Sequence, residues 1–445
     1  MFPMKRNLIV LFSIFAALML VIGCSQEDTS TSNTTDDNTS NTDETETTND
    51  EQTEEVEEIE LTLWFGREDF IPDDAFEQFE AENPNIKITT DVIPLENATE
   101  EFIRASKADN QPDIVQVPSD RTKILAEQQL LLDMTDHLAQ WKQENSDSYD
   151  AMVPLAWDMA SNEGTPYGVT VHAGPFWYVY NKNLFEEAGY SEAPKTWDEV
   201  LEIGEAISDG ENIGFSVIGS RAHDPVWFLS TFMSMGGQFE DGVPQLNSDA
   251  GEYILNFYQQ LAGKDITDKN AIAWEADNMR AAFITGEAGQ AMIGDNIFPT
   301  IQEAMSYNED WGASPPPVRP GGESDAAYMA LGWPYLVSNK TEHPEAVLKA
   351  LQYLSSTEIV KDVALRYQPT TNVEVLSHPE YLEAKPWAAD FEEAFAQLVE
   401  LPSHERQSNI YEVLLDAMQE AIQNPDSDAK EMAEKYQEQI DQIVQ

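Results

Sequence analysis

From Ile59 onward the chain alternates short apolar runs with amphipathic stretches of helical period, and this alternation restricts its fold more than any other feature. Leu61 to Phe65 reads as a strand, Asp73 to Asn83 sets Ala75, Phe76, Phe79 and Ala81 at helical spacing, and Ile86 to Ile93 alternates as a second strand. Pro112 to Val117 predicts another strand, followed by a helix through Leu125 and Leu130. Tyr167 to Val171 and Trp177 to Tyr180 predict two further strands. Thr196 with Glu199 three residues on has the pattern of a capping box opening a helix. Amphipathic helices are expected near Gly251 to Leu261, Asn278 to Thr285, Pro344 to Leu354 and Ile410 to Ile422. The alternation implies α/β architecture in more than one domain, and no repeat of roughly 20–50 residues is visible.

The first 58 residues have a different character. Lys5 and Arg6 precede an apolar run of 15 residues, Leu8 to Ile22, and then Gly23 and Cys24. That is shorter than the roughly 20 residues a membrane-spanning helix needs, so 1–23 reads as a signal peptide. Val21-Ile22-Gly23-Cys24 resembles the lipobox of bacterial lipoproteins, which implies cleavage before Cys24 and a diacylglycerol on its thiol. Residues 25–58 hold 13 acids, no Lys or Arg and one apolar residue, Val56. With Cys24 they are expected to form a disordered acidic tether reaching roughly 30 Å.

The chain has 82 Asp and Glu against 24 Lys and Arg, a net charge of -58 and a pI near 4.1. Residues 59–445 alone keep 69 acids and 22 basic residues. Nucleic acid is excluded as a partner, because its binding depends on basic groups that neutralise phosphates. Acids spread along the whole chain fit a halophilic or alkaliphilic surface, with a preference for cationic ligands as the rival explanation. One cysteine excludes an intrachain disulfide, a Cys-based zinc cluster and an iron–sulfur site.

No catalytic motif stands out. The six histidines (137, 172, 223, 343, 378 and 404) lack metal-ligand spacing, and there is no G-x-S-x-G, no P-loop and no dinucleotide-binding glycine motif. No metal, cofactor or catalytic residue is assigned. A carboxylate pair for glycoside hydrolysis stays open, since separation is a three-dimensional property.

A series of segments carries a family resemblance. Leu61-Thr62-Leu63-Trp64-Phe65, Phe79-Glu80-Ala81-Glu82-Asn83-Pro84 and Ile86-Lys87-Ile88 resemble the opening of an extracellular solute-binding protein of the maltose-binding type. The order continues with Pro112-Asp113-Ile114-Val115, Asp120-Arg121 and Leu130-Leu131, then Tyr167-Gly168-Val169 and the block from Tyr180-Asn181-Lys182 to Thr196-Trp197-Asp198-Glu199. Gly236-Gly237, Phe283 to Met292, Asn339-Lys340 and His343-Pro344-Glu345-Ala346 complete it.

The resemblance implies a two-lobed periplasmic-binding-protein-like fold (type II) with a hinged cleft. The first lobe would be 59–171 plus 335–368 and the second 176–328 plus 374–445, with crossovers near 172–175, 329–334 and 369–373. It also implies a lipid-anchored receptor on the extracellular face of the membrane, expected as a monomer, that delivers a sugar or short oligosaccharide to ABC permease subunits and performs no chemistry. A binder of a non-sugar solute such as a polyamine is the alternative within the class, and a surface glycoside hydrolase the alternative outside it.

Carried over by position, Arg67, Glu68 and Asp69 follow the first strand where the family has polar ligand contacts. Asp120 and Arg121 match a polar pair aimed at sugar hydroxyls. Asp224 and Trp227 fall where the family has an acid and an aromatic at the cleft. Phe298, Trp333 and Tyr411 fall near rings that stack on sugars, and His172 lies at the first crossover. Gly174 stands in place of a crossover acid of maltodextrin binders and Val117 in place of a cleft tryptophan, which puts maltodextrin in doubt.

Overall fold

The computed structural model describes residues 58–445 except 73, 322–327, 367–368 and 392–396, and, within that range, not the side chains of Asp69 and Phe391. The expected signal peptide, Cys24 and the tether to residue 57 lie outside the described residues.

Strands β1 (Ile59–Phe65), β2 (Ile86–Val92) and β3 (Ile114–Gln116) run parallel, with β1 between the other two. Helices Ala75–Glu82 and Leu95–Lys107 connect them. The first packs Phe79 against Leu61, Leu63 and Phe65, while the second packs Phe102 against Val115 and Val117, so the two cover opposite faces of the sheet. Burial on both faces is the reason these strands read as apolar runs.

β4 (Gly168–Asn181) is one strand of 14 residues where the sequence predicts two. The interruption of the apolar pattern at His172-Ala173-Gly174-Pro175 is a change of surroundings along a continuous strand of about 45 Å. Its first half sends Val169 and Val171 into the core of β1. Its second half alternates, with Phe176 and Tyr178 entering a second core and Trp177 and Val179 a third.

β5 (Gln290–Gly294) and β6 (Trp311–Ser314) pair with that second half. β7 (Tyr328–Val337) lies antiparallel to the first half and to β3, and β8 (Leu398–Glu400) lies parallel to the start of β7. The result is an eight-stranded sheet in the order β6-β4-β7-β3-β1-β2, with β5 on β4 and β8 on β7. β4 and β7 thus each supply side chains to the core of β1 at one end and to the second and third cores at the other.

Several helices follow the sequence closely. Trp197–Ile207 opens on the capping box, the Thr196 hydroxyl accepting from the Glu199 N–H at 3.3 Å and the Glu199 carboxylate from the Thr196 N–H at 3.2 Å. Such a cap contributes about 1 kcal/mol. Asp249–Gly263 and Gln407–Gln423 pack Ile254, Leu255, Leu414 and Met418 into the second lobe. One boundary differs from expectation. Val375, Tyr381 and Ala388 pack with the core of β1, whereas the second lobe was expected from residue 374. The short helices Val373–Leu376 and Pro379–Ala384 bury Val375 and Tyr381 there, while Trp387 packs with Phe298 and Trp311, and Leu401 joins the core of Leu414 and Met418.

Candidate functional site

The crevice between the lobes is built where β4 and β7 cross over. Register shifts between Gly332 and Pro334, so that Val171 and His172 of β4 face Trp333 alone on β7. A bulge of this kind re-aims a side chain. The Trp333 indole lies 5.5 Å from the ring of Phe70, itself 5.5 Å from the His172 imidazole. His172 is 2% exposed and its Nε2 is 3.1 Å from the Phe70 carbonyl, which can only accept, so Nε2 carries the proton. His172 therefore ties the loop after β1 to the crossover. Gln116 of β3 does the same, accepting from the Gly66 N–H at 3.0 Å and donating to the Trp333 carbonyl at 3.4 Å.

On the second-lobe side, helix Val226–Ser234 begins at the crevice and brings Trp227 to it, edge-on to Phe176 at 5.5 Å. Trp227 and Trp333 line one cavity of 120 Å³ whose floor is Gly174-Pro175 of β4. Helix Ala276–Ile284 adds Arg280, and the turn after β5 adds Asp295 and Asn296. Trp227 Nε1 is buried and has no hydrogen-bond partner among the described residues. A Cβ on Gly174 would collide with the Asp295 carboxylate and Pro369, so the glycine is what admits Asp295 to the floor. Larger hollows open elsewhere: 560 Å³ beside Tyr149 and Trp157, and 350 Å³ between Val153 to Leu155, Ala173 of β4 and Thr370-Thr371; neither is lined by Trp227 or Trp333.

At the edge of the crevice four of the sequence-predicted residues meet one another. Asp120 and Arg121 stand in the turn after β3, with Asp120 1% and Arg121 8% exposed. The Tyr411 hydroxyl donates to the Asp120 carboxylate at 2.7 Å, and the Arg121 guanidinium donates to Asp224 at 2.5 Å and Ser408 at 3.2 Å. Arg121 also lies 5.1 Å above the Tyr411 ring. Asp224, Ser408 and Tyr411 come from the second lobe, so this cluster joins the lobes. Burial pulls the Arg121 pKa down, but Asp120 and Asp224 outweigh it and hold the guanidinium firmly charged. Burial raises the Asp224 pKa against the pull of Arg121.

The other expected residues lie as follows. Arg67 and Glu68 are exposed at the rim, with the Arg67 guanidinium 5.8 Å from the Phe70 ring; the Asp69 side chain is outside the described set. Phe298 is corrected: it is fully buried between Trp311 and Trp387 in the second lobe, at 5.1 and 5.5 Å, and does not reach the crevice. The Tyr411 ring is also buried, 2% exposed, so it covers Arg121 and offers no open stacking face. Val117 is fully buried under helix Leu95–Lys107.

Sequence reading missed Phe70, Phe176, Arg280, Asp295 and Ser408. Phe70 follows the polar triplet it anchors, a signal available in the sequence; Arg280 and Asp295 come to the cavity only through tertiary packing. Among the described residues no group of three or more His, Cys, Asp and Glu is arranged to hold a metal ion.

Residues 67–361 match the family model of the bacterial extracellular solute-binding protein. The chain belongs to this family. Family members and their structural neighbours are binding proteins. The chain is 27% identical over 217 residues to a probable amino-acid ABC transporter periplasmic-binding protein of Sinorhizobium fredii, covering 47% of this chain and 48% of that one. The match thus spans about half the length of that curated relative. It is 25% identical over 383 residues to the maltotriose-binding protein of Pyrococcus abyssi, covering 82% of this chain and 77% of that one. An ABC transporter solute-binding protein from Thermotoga lettingae, bound with α-D-tagatose, has the same two-lobed fold. Its TM-score is 0.72 at 22% identity, over 87% of this chain and 100% of that one.

Proposed function

We propose that this solute-binding protein is a receptor for a saccharide, held in the crevice between Trp227 and Trp333 and passed to the permease subunits of an ABC importer. The observation that carries the reading is the pair of indoles from opposite lobes lining one cavity. A sugar has apolar C–H faces and a polar rim, so flat aromatic walls with donors and acceptors at their edges suit it. Asn296 and Arg280 supply such edges. At 120 Å³ the cavity is well below the roughly 300–1,000 Å³ of common small-molecule sites, which favours one sugar ring, or the end of a short oligosaccharide, per closed crevice.

Release and capture would proceed by hinging at β4 and β7, with Asp120–Tyr411 and Arg121–Asp224 re-forming on closure. The receptor performs no chemistry on this reading; Asp120 and Asp224 are both engaged by Arg121 and do not form a free carboxylate pair. A polyamine ligand would need several acids converging on ammonium groups, whereas Asp295 is the one carboxylate on the described cavity wall. Lipid on Cys24 and a tether would hold the receptor at the outer membrane surface; Cys24→Ala should release it into the medium without changing ligand affinity.

The deciding measurement is a calorimetric and thermal-shift screen of sugars, amino acids and polyamines. Saccharide binding that is lost in Trp227→Ala supports the reading. Binding confined to amino acids or polyamines ends it.

A further inference from the structure

A second aromatic hollow lies outside the crevice, on the first lobe. Helix Thr135–Glu144 buries Trp141 completely. Tyr149, on helix Ser146–Asp150, and Trp157, on helix Pro154–Asp158, each meet that indole edge-on, at 5.9 and 5.6 Å. They also stack on one another, 4.2 Å apart and 11° from parallel. Contacts among three helices thus fix the positions of two half-buried rings. The pair walls a hollow of 560 Å³, within the roughly 300–1,000 Å³ of small-molecule sites and well above the 120 Å³ between Trp227 and Trp333. Its lining residues all fall between Thr135 and Pro166, so the hollow is formed by one lobe and does not depend on closure of the hinge.

The polar groups around these rings are of both signs. Lys142 Nζ lies 4.8 Å over the Tyr149 ring and 3.4 Å from Asp150, while Asp158 and Glu163 are exposed at the rim. Ser161 and Glu163, of the hairpin between Ser161 and Pro166, also line an adjoining hollow of 200 Å³ with Ser119, Thr122, Lys123 and Glu400. Burial, then Asp120 and Asp158, push the Glu400 carboxyl up to about 8, so near neutral pH it is uncharged and both donates and accepts. Lys123 and Lys142 then balance Asp158 and Glu163. In a chain with 69 acids and 22 basic residues over 59–445, this even balance matches neither a cationic nor an anionic partner. A cation is further opposed by Lys142, which already sits over Tyr149. Apolar rings bordered by closely set donors and acceptors suit a neutral polyhydroxyl chain, with C–H groups against the rings and hydroxyls at the rim.

We propose that this hollow is a second saccharide site, taking a neutral polysaccharide chain that lies across Tyr149 and Trp157 and is hydrogen-bonded by Lys142, Asp158 and Glu163. The adjoining hollow continues the track to Ser119, next to Asp120 and Arg121 at the edge of the crevice. A chain held there keeps its ends near the crevice of the same molecule and raises their effective concentration. The site is separate from the crevice and goes beyond the saccharide reading above.

The test is affinity electrophoresis of the full chain through native gels containing soluble arabinan, galactan, xylan or amylopectin, with polygalacturonate as the anionic control. At least one neutral polymer should retard the chain, and Trp227→Ala, which disables the crevice, should be retarded as much. Trp157→Ala should remove the retardation. Trp157 also packs on the core of β1, so a second variant combines Asp158→Asn with Glu163→Gln, both at exposed positions. It should bind the polymer about tenfold more weakly at an unchanged melting temperature. Retardation by none of the neutral polymers overturns the inference, and so does retardation by polygalacturonate alone. Loss of retardation in Trp227→Ala overturns it by assigning the polymer to the crevice, and undiminished retardation of the double variant overturns it by showing that the rim is not used. Each of these outcomes leaves the crevice reading to its own calorimetric screen.

Discussion

The Arg121 guanidinium donates to the Asp224 carboxylate at 2.5 Å and thereby fastens the turn after β3 in one lobe to the loop before helix Val226–Ser234 in the other. The Arg121 side chain is 10% exposed and that of Asp224 50%, so the pair is partly shielded from water. Asp224→Asn keeps the shape and removes the charge. It should cost about 1 kcal/mol in urea unfolding. Small-angle scattering should show a more open ligand-free molecule, and an unchanged radius of gyration would end the latch interpretation.

Asp120 is nearly fully buried and accepts from Tyr411. Tyr411→Phe keeps the ring over Arg121 but takes away the donor, at an expected cost of about 1–3 kcal/mol. Chemical denaturation checks it, and a neutral result would mean that Arg121 alone satisfies the Asp120 carboxylate.

Gly174 leaves no room for a side chain, since a Cβ would meet Asp295 and Pro369. Gly174→Ala should displace Asp295 from the cavity floor, destabilise the fold by about 1–3 kcal/mol and weaken ligand binding. Calorimetry on the folded variant separates the two effects, and wild-type affinity would show that the floor is not used.

Burial, then Asp120 and Asp158, push the Glu400 carboxyl from its usual 4.5 up to about 8. Between those values the folded chain holds a proton that the unfolded chain has released, so stability is greatest below the unfolded pKa and declines as pH rises through the window. Glu400→Gln should flatten this decline and raise the melting temperature at the alkaline end. Parallel melting curves across the window would refute the assignment.

If the acidity is a surface adaptation, salt should stabilise the fold, because the Debye length falls from about 10 Å at 0.1 M to about 3 Å at 1 M. Melting in NaCl reads this directly, and a melting temperature indifferent to salt removes the idea.

Much of this protein could be read from local pattern. The strand of Leu61 to Phe65, the capping box at Thr196 and helix Pro344–Leu354 follow from periodicity and capping, properties held within a few residues. Family membership was legible in ordered segments that the family model also covers. Asp120, Arg121, Asp224, Trp227 and Trp333 were expected at a cleft from their distance to such segments; the first three contact one another and the two indoles line one cavity. Packing alone settled the rest. Whether the break at His172 to Pro175 ends a strand or only marks its passage between lobes depends on what lies across it, and the answer is β7. Phe298 and Trp333 are equally aromatic in sequence; one is walled in by Trp311 and Trp387, while a bulge turns the other toward the cavity. Trp227 and Trp333 are 106 positions apart, and their meeting at one cavity arises from long-range contacts that no local period encodes.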